Sequence, residues 1–476
     1  MFLQDFVQGL LKKAAKSGMT EIEFYEMELA AWLQSDKRRF MQTGQRYYEG
    51  HHDIELKERK AIGANGKEQP LHNLPNSRLT DNRYAELVDQ KVGYLLSKPV
   101  DIKTDNKSYA DALKEVFNAR FRRKLKLLGE DSLNAGIAYL YPYAAPDGSG
   151  IRFKRFAPEQ VLPFWRDEEH EELDSFLRVY STTVYEGRQR KEVLNVELYT
   201  LKGIRYFTWE NDRLVPDVIK TDVDYLKRPD GKTYNWERIP LVAFRYNSRE
   251  LSLLSRVKCL QDALNTLMSN FADNMLEDVR STVLILENYE GEDLSTFRKN
   301  LATYGVIKVG SDDARRGDVR RLVIEVNSTN YEVIIKLLRR AIIENGHGFD
   351  AKDERMGNNP NQMNIQSIYC DIDIDADSME MEFQSSLEQL LWFINTYLGF
   401  FGKQPAPVEF IFNRDTPINE SEVIKNCAAS EGVISKETIV ANHPWVVSAD
   451  EELTKLEKEE EKRAIEYVKP SGAEDE

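Results

Sequence analysis

The chain has 476 residues, with 65 Lys plus Arg against 80 Asp plus Glu and a formal net charge of −15. At about 150 residues per domain this length predicts roughly three domains, and 41% apolar residues can build a core, which excludes disorder throughout. An acidic chain lacks the cation surplus that grips nucleic acid by charge, so a simple DNA clamp is excluded too. No run approaches the roughly 20 apolar residues of a membrane span, and MFLQDFVQGLLKKAAKSGM lacks a secretory apolar core with a cleavage site. The expectation is a soluble, unexported protein with no membrane contact. Cys259, Cys370 and Cys427 are too far apart for a disulfide framework or a zinc site, which suits a reducing cytoplasm. The histidines are scattered, and the adjacent His51 and His52 read as a polar turn after Tyr47 and Tyr48.

From about Thr20 to Tyr48, a Thr20/Glu23 capping box is followed by Ile22, Tyr25, Leu29, Trp32 and Leu33 at helical intervals. A second helix is predicted from about Asp81, stopping before Pro99, with Leu87, Val88, Lys91, Val92 and Leu95 in register, and a third from about Tyr109 to Asn134. Between Ile137 and Trp209 the period shortens: IAYLYPY, IRFKRFA, FLRVYSTTVY, EVLNVELYT and IRYFTW predict an antiparallel meander. Helices followed by strands argue for an α+β unit over about residues 1–248.

The second half is planned differently. Apolar residues at intervals of three and four predict a long helix from about Glu250 to Glu277 and another from about Asn330 to Asn345. Between them, STVLILENYE, DLSTFRKNLATYG, VIKVG and RRLVIEV predict a small β-α-β-β head on a helical stalk. Next, NGHGFDAKDERMGNNPNQMN has scarcely an apolar residue, and a structureless stretch of that length inside a domain is usually functional or disordered. Ile365, Ile368, Ile372, Met379, Phe383, Leu387, Leu390 and Ile394 then keep a helical period nearly to Gly399. Thr416 and Pro417 read as the start of a C-terminal helical region ending in the acidic SGAEDE.

Few residues carry a catalytic pattern. No GxxxxGK[ST], GxGxxG or GxSxG is present. Asp371, Asp373 and Asp375 form a DxDxD string that could hold Mg²⁺ on a strand, which keeps a metal-dependent nuclease or phosphotransferase open as the alternative function. On a helix Asp373 lies about 200° around from Asp371, so the carboxylates would diverge onto a solvated face. Arg120, Arg122, Arg123, Lys124 and Lys126 form the densest basic cluster, but Phe121, Leu125 and Leu128 interleave with it as in an ordinary amphipathic helix. Lys336, Arg339 and Arg340 read the same way. Lys352, Arg355, Asn358, Asn359, Asn361, Gln362 and Asn364, in the polar stretch, suit transient contact with phosphates. A scaffold that binds protein partners without touching DNA is a further reading.

Four stretches, YYEGHHDIELKER, NLPNSRLTDNRYAELVDQKVGYLLSKPV, NGHGFDAKDERMGNNPNQMNIQSIYCDIDIDADSMEMEF and ISKETIVANHPWVVSADEELTKLEKEEE, carry a resemblance that spans nearly the whole chain. In content and order they resemble bacteriophage portal proteins of the siphovirus type from phages and prophages of Gram-positive hosts. The resemblance implies a non-enzymatic ring, usually dodecameric, at one capsid vertex of the virion, assembled in the host cytoplasm, through which double-stranded DNA is packaged and later ejected. It implies a wing (1–248), a first stem helix (249–280), a clip (281–327), a second stem helix (328–345), a tunnel loop (346–364), a wing-to-crown helix (365–400) and a crown (401–476). The tunnel loop would bring Lys352, Arg355, Asn358, Asn359, Asn361, Gln362 and Asn364 to DNA, and the stem would turn Lys336, Arg339 and Arg340 to the channel. Through Asp312, Asp313, Arg315, Arg316 and Asp318 the clip would dock the terminase motor and later a head-completion or connector protein. Major capsid and scaffolding proteins are the other implied partners. No cofactor, metal or catalytic residue is implied.

Overall fold

Thr20 caps the first helix at the position its sequence predicts: Thr20 Oγ1 accepts from Glu23 N at 3.2 Å, while the Glu23 carboxylate accepts from Thr20 N at 2.7 Å. The structure, a computed structural model, describes residues 18–62, 67–70, 74–145, 150–217, 219–227, 232–278, 283–287, 293, 311–312, 315–316, 318–322, 328–350, 362–399, 402, 404–414, 420–446 and 452–460. The stretch read as one helix up to Tyr48 is two, α1 (Glu21–Leu33) and α2 (Asp36–Tyr48). Ser35 makes the break, since its hydroxyl accepts from Arg38 N at 3.2 Å and competes with continued helix. Next comes α3 (Arg83–Leu96). The predicted Tyr109–Asn134 helix also divides, into α4 (Lys107–Val116) and α5 (Ala119–Ala135), where Asn118 caps α5 by accepting from Arg120 N and Phe121 N.

The meander is two sheets rather than one. Ile137–Ala144 lies between Ile151–Phe156 and Val242–Arg245 in a three-stranded antiparallel sheet. A short 3-10 turn at Pro158–Gln160 then leads into a five-stranded antiparallel sheet that runs in chain order through Val161–Trp165, Leu173–Glu186, Gln189–Thr200, Gly203–Glu210 and Arg213–Pro216. The aromatic residues that signalled strands pack between these layers, with Phe156 of the three-stranded sheet against Phe176 at 6.3 Å and Tyr141 against Tyr199 at 5.4 Å. The architecture is mixed α+β.

Beyond the sheets, α6 (Leu254–Asp278) and α7 (Ser328–Asn345) lie antiparallel. Phe271 meets Tyr331 at 4.9 Å and Asn274 Nδ2 donates to Tyr331 Oη at 3.1 Å. At their outer end Val283–Glu287 pairs antiparallel with Asp318–Leu322, and Ser311–Asp312 with Arg315–Arg316. VIKVG and, apart from Asp293, the helix predicted in DLSTFRKNLATYG lie outside the described residues, as do Thr416 and Pro417. The longest helix, α8 (Gln362–Gly399), buries every residue of its predicted apolar stripe, from Ile365 to Ile394. Two short helices, α9 (Glu420–Ala429) and α10 (Lys436–Ala441), follow a strand, Glu409–Ile411, that pairs with Asp101–Lys103 and returns the chain to its N-terminal half. Among the described residues no helix is long and apolar enough to cross a membrane.

Candidate functional site

The α6/α7 stalk is tied to the α+β unit by a row of buried polar residues. Gln261, Asn265, Ser269 and Asp273 stand four residues apart on one face of α6, all between 0% and 3% exposed. Alongside them residues 75–82 run as an irregular strap. Its alternate N–H groups reach that row in turn: Ser77 N donates to Asp273 Oδ1 at 2.6 Å, Leu79 N to Ser269 Oγ at 2.9 Å, and Asp81 N to Asn265 Oδ1 at 3.0 Å. Arg83 N closes the series on Gln261 Oε1 at 3.1 Å. Four helical residues advance about 6.0 Å and two extended residues about 6.6 Å, so the two periods match closely enough for helix side chains to serve as a strand edge. From the other side, Arg339 of α7 donates to Asp81 Oδ2 at 2.8 Å, so one strap holds both stalk helices.

His52 belongs to the same network: the turn expected after Tyr47 and Tyr48 is present at residues 49–50 with His51 exposed, but His52 is not part of that polar surface. It is fully buried, stacked on Tyr47 at 4.3 Å, with Nε2 at 3.0 Å from Tyr47 O and Nδ1 at 2.8 Å from Asn265 Nδ2. Because Asn265 Oδ1 accepts from Asp81 N, its Nδ2 is the donor to His52, which fixes a neutral imidazole carrying its proton on Nε2. Burial accordingly draws the His52 pKa below its ordinary value, against the opposing pull of the Tyr47 carbonyl.

The DxDxD string does not form a solvated face either. Asp375 is buried and takes Lys91 Nζ at 2.6 Å, Tyr246 Oη at 2.5 Å and Arg256 Nη1 at 3.0 Å. Burial pushes its carboxyl up, but Lys91 and the hydrogen bonds from Lys91 and Tyr246 outweigh this and hold it below the usual carboxylate range. Asp373 turns to Tyr94 and Arg414, and Arg414 also pairs with Asp377 and with Glu380 at 2.7 Å. Asp371 is exposed. The three carboxylates therefore serve different partners around α8, and no group of three His, Cys, Asp or Glu suited to a metal ion occurs among the described residues.

The sequence matches the phage portal protein, SPP1 Gp6-like, family over residues 34–466. The chain belongs to that family. It is 28% identical to the portal protein of Bacillus phage SPP1 over 429 residues, covering 87% of this chain and 82% of that one. To the portal protein of Clostridium phage phiCD119 it is 28% identical over 427 residues, covering 87% and 91%. With membership in the phage portal family comes the general function of a portal, a channel for DNA packaging, with DNA and capsid components as its general partners.

On the portal chain, the residues predicted to touch DNA divide by position. Lys352, Arg355, Asn358, Asn359 and Asn361 lie outside the described residues, while Gln362 opens α8 and Asn364 sits half-buried in its first turn. Of the three basic residues on α7, Lys336 and Arg340 are exposed and each is paired within the helix, to Glu332 at 2.6 Å and Glu344 at 2.7 Å. Arg339 departs from them, being committed to Asp81. Asp312, Arg315, Arg316 and Asp318 lie on the paired strands at the outer end of the stalk, with Asp312 opposite Arg315, and Asp313 lies outside the described residues. In the α5 basic cluster Arg120, Arg122, Arg123 and Lys126 are exposed, Phe121, Leu125 and Leu128 are buried, and Lys124 donates to the Phe153 carbonyl. The polar row on α6 escaped the sequence reading, although the four-residue spacing of Gln261, Asn265, Ser269 and Asp273 inside an apolar helix was a readable signal. Lys91, read in register with the apolar stripe of α3, is buried there, and what the sequence did not disclose was its partner Asp375.

Proposed function

We propose that this chain is one subunit of a non-enzymatic closed ring, of dodecameric type, that conducts double-stranded DNA through one vertex of a siphovirus-type phage head. The observation that carries the reading is the family match across 433 residues, from 34 to 466, in an acidic chain with a stalk of paired helices. In this reading residues 1–248 form the wing, α6 and α7 the stem, 281–327 the clip, 346–364 the tunnel loop, α8 the link to the crown, and 401–476 the crown. Terminase docks on the clip charges Asp312, Asp313, Arg315, Arg316 and Asp318 during packaging, and a head-completion or connector protein replaces it later. Capsid and scaffolding proteins surround the wing.

A channel must let a polyanion move, and every phosphate neutralised by a free cation releases counterions and adds affinity that slows departure. The stem supports such sliding because Lys336 and Arg340 are each offset by a glutamate one turn away. Contact then falls to Lys352, Arg355 and the amides of the loop, which offer hydrogen bonds with little net charge. The exposed Val333, Ile334 and Leu337 of α7 supply the apolar surface that packs against a neighbouring subunit.

Negative-stain imaging and mass photometry of the purified chain test the reading: closed rings with a hole wide enough for duplex DNA are expected, and monomers alone under assembly conditions would overturn it. Particles built with Lys352→Ala/Arg355→Ala rings are expected to package or retain less DNA. Normal DNA content in those particles would remove the loop's assigned role.

A further inference from the structure

The chain leaves α7 through Gly346-His347-Gly348-Phe349, and one face of α3 holds each of these residues. Gly346 and Gly348 lie so close to Leu87 that an added Cβ would stand 2.4 Å and 2.3 Å from its methyl groups. His347 between them takes a left-handed backbone, φ 51°, and its carbonyl accepts from Lys91 Nζ at 3.0 Å. Phe349 is gripped at both ends of its backbone by one side chain: Gln90 Nε2 donates to Phe349 O at 3.1 Å, and Phe349 N donates to Gln90 Oε1 at 3.2 Å. The Phe349 ring then stacks on Tyr369 of α8 at 4.8 Å. Leu87, Gln90 and Lys91 are spaced i, i+3 and i+4, so all three project from one stripe of α3.

We propose that Gln90 and Lys91 are positioning residues for the polar loop, fixing the direction in which the chain leaves α7 and hence how residues 351–361 are presented to DNA. The inference rests on the reading of that loop as the DNA-contacting segment. Lys91 serves through its place between Asp375 and the His347 carbonyl: its ammonium is anchored from below by α8 and caps the turn from above. Gln90 serves through its amide, whose donor and acceptor match the two backbone groups of one residue as a neighbouring strand would. A helix end that only needed to stop would leave those groups to water. Committing a half-buried glutamine to both of them fixes a backbone direction instead.

Gln90→Leu tests this without opening a hole, because it keeps the bulk and removes the amide. Hydrogen exchange on assembled full-length rings is expected to show the Phe349 amide exchanging on the order of tenfold faster, with the wing strands unchanged. Particles carrying Gln90→Leu are expected to retain as little DNA as those carrying Lys352→Ala/Arg355→Ala. Unchanged exchange at Phe349, or Gln90→Leu behaving as wild type where Gln90→Ala does not, would show that Gln90 only fills space and would overturn the proposal. Faster exchange with normal DNA content in Gln90→Leu, alongside a defective Lys352→Ala/Arg355→Ala, would overturn it as well while leaving the loop reading intact. Normal DNA content in both variants would bring down the loop reading itself.

Discussion

Lys91 and Asp375 meet at 2.6 Å with both side chains buried, an ion pair that locks α3 to α8 directly beneath the turn where α7 ends. Removing one partner of a buried pair leaves the other charge without compensation, which costs about 3–5 kcal/mol. Lys91→Met is expected to fall near the lower end of that range, because Arg256 and Tyr246 still reach Asp375. Lys91→Met combined with Asp375→Asn is expected to recover a large part of the loss. Urea unfolding of the two variants against the parent checks both statements, and equal destabilisation of the single and the double variant would contradict the pairing.

The strap along α6 gives a graded series. Ser269→Ala removes one acceptor, that for Leu79 N, and is expected to destabilise by about 1 kcal/mol. Asn265→Ala strands Asp81 N and His52 Nδ1 and leaves Gln261 Nε2 only its bond to the Asp81 carbonyl, with an expected loss of about 2–3 kcal/mol. Hydrogen exchange checks the location as well as the size. Amides of residues 77, 79 and 81 should lose protection together in Asn265→Ala, whereas in Ser269→Ala the loss should concentrate at residue 79.

These networks mark the boundary of what the sequence made legible. Helices with long apolar periods were readable: the stripe of α8 predicted from Ile365 to Ile394 is buried at every position. Helix breaks at Ser35 and Asn118 were not, because the apolar spacing continues through them and the break is made by a side-chain oxygen competing for backbone N–H groups. Sheet membership was lost for a different reason. Ile137–Ala144 pairs with Val242–Arg245, a hundred residues on, and alternation within a strand says nothing of its partner. At the site, a carboxylate such as Asp375 or an amide such as Asn265 looks solvated in a sequence unless its distant partner is known, and both partners here lie on other elements.

Two glycines separate close packing from mere helix content. At Gly44 in α2 an added Cβ would lie 1.9 Å from the Asn134 carbonyl oxygen of α5, a backbone atom that cannot step aside. Gly44→Ala is therefore expected to destabilise by about 3 kcal/mol, the upper part of the range for overpacking. Gly93 in α3 has nothing within 4 Å of the same position and an ordinary helical backbone. Gly93→Ala is expected to stabilise by about 0.5–1 kcal/mol through helix propensity alone. Thermal unfolding of the pair should move in opposite directions.

His52 also makes stability depend on pH. Burial lowers its native pKa below the unfolded value of 6.5, so the unfolded chain binds the proton more readily. Its contribution is then fully present above pH 6.5 and is lost as the pH falls through the lowered native pKa, where protonation would set an N–H on Nδ1 against the Asn265 amide donor. His347, drawn down by burial and by the nearby Arg256, works with the same sign. Asp131, whose carboxyl burial pushes up to about 7, works with the opposite sign in the same interval, so the histidine contribution is read as a difference between variants: on going from pH 7.5 to pH 5, His52→Gln is expected to lose less of its urea midpoint than the parent does, from a lower midpoint at pH 7.5. A pH slope unchanged by the substitution would mean that the imidazole does not titrate against folding.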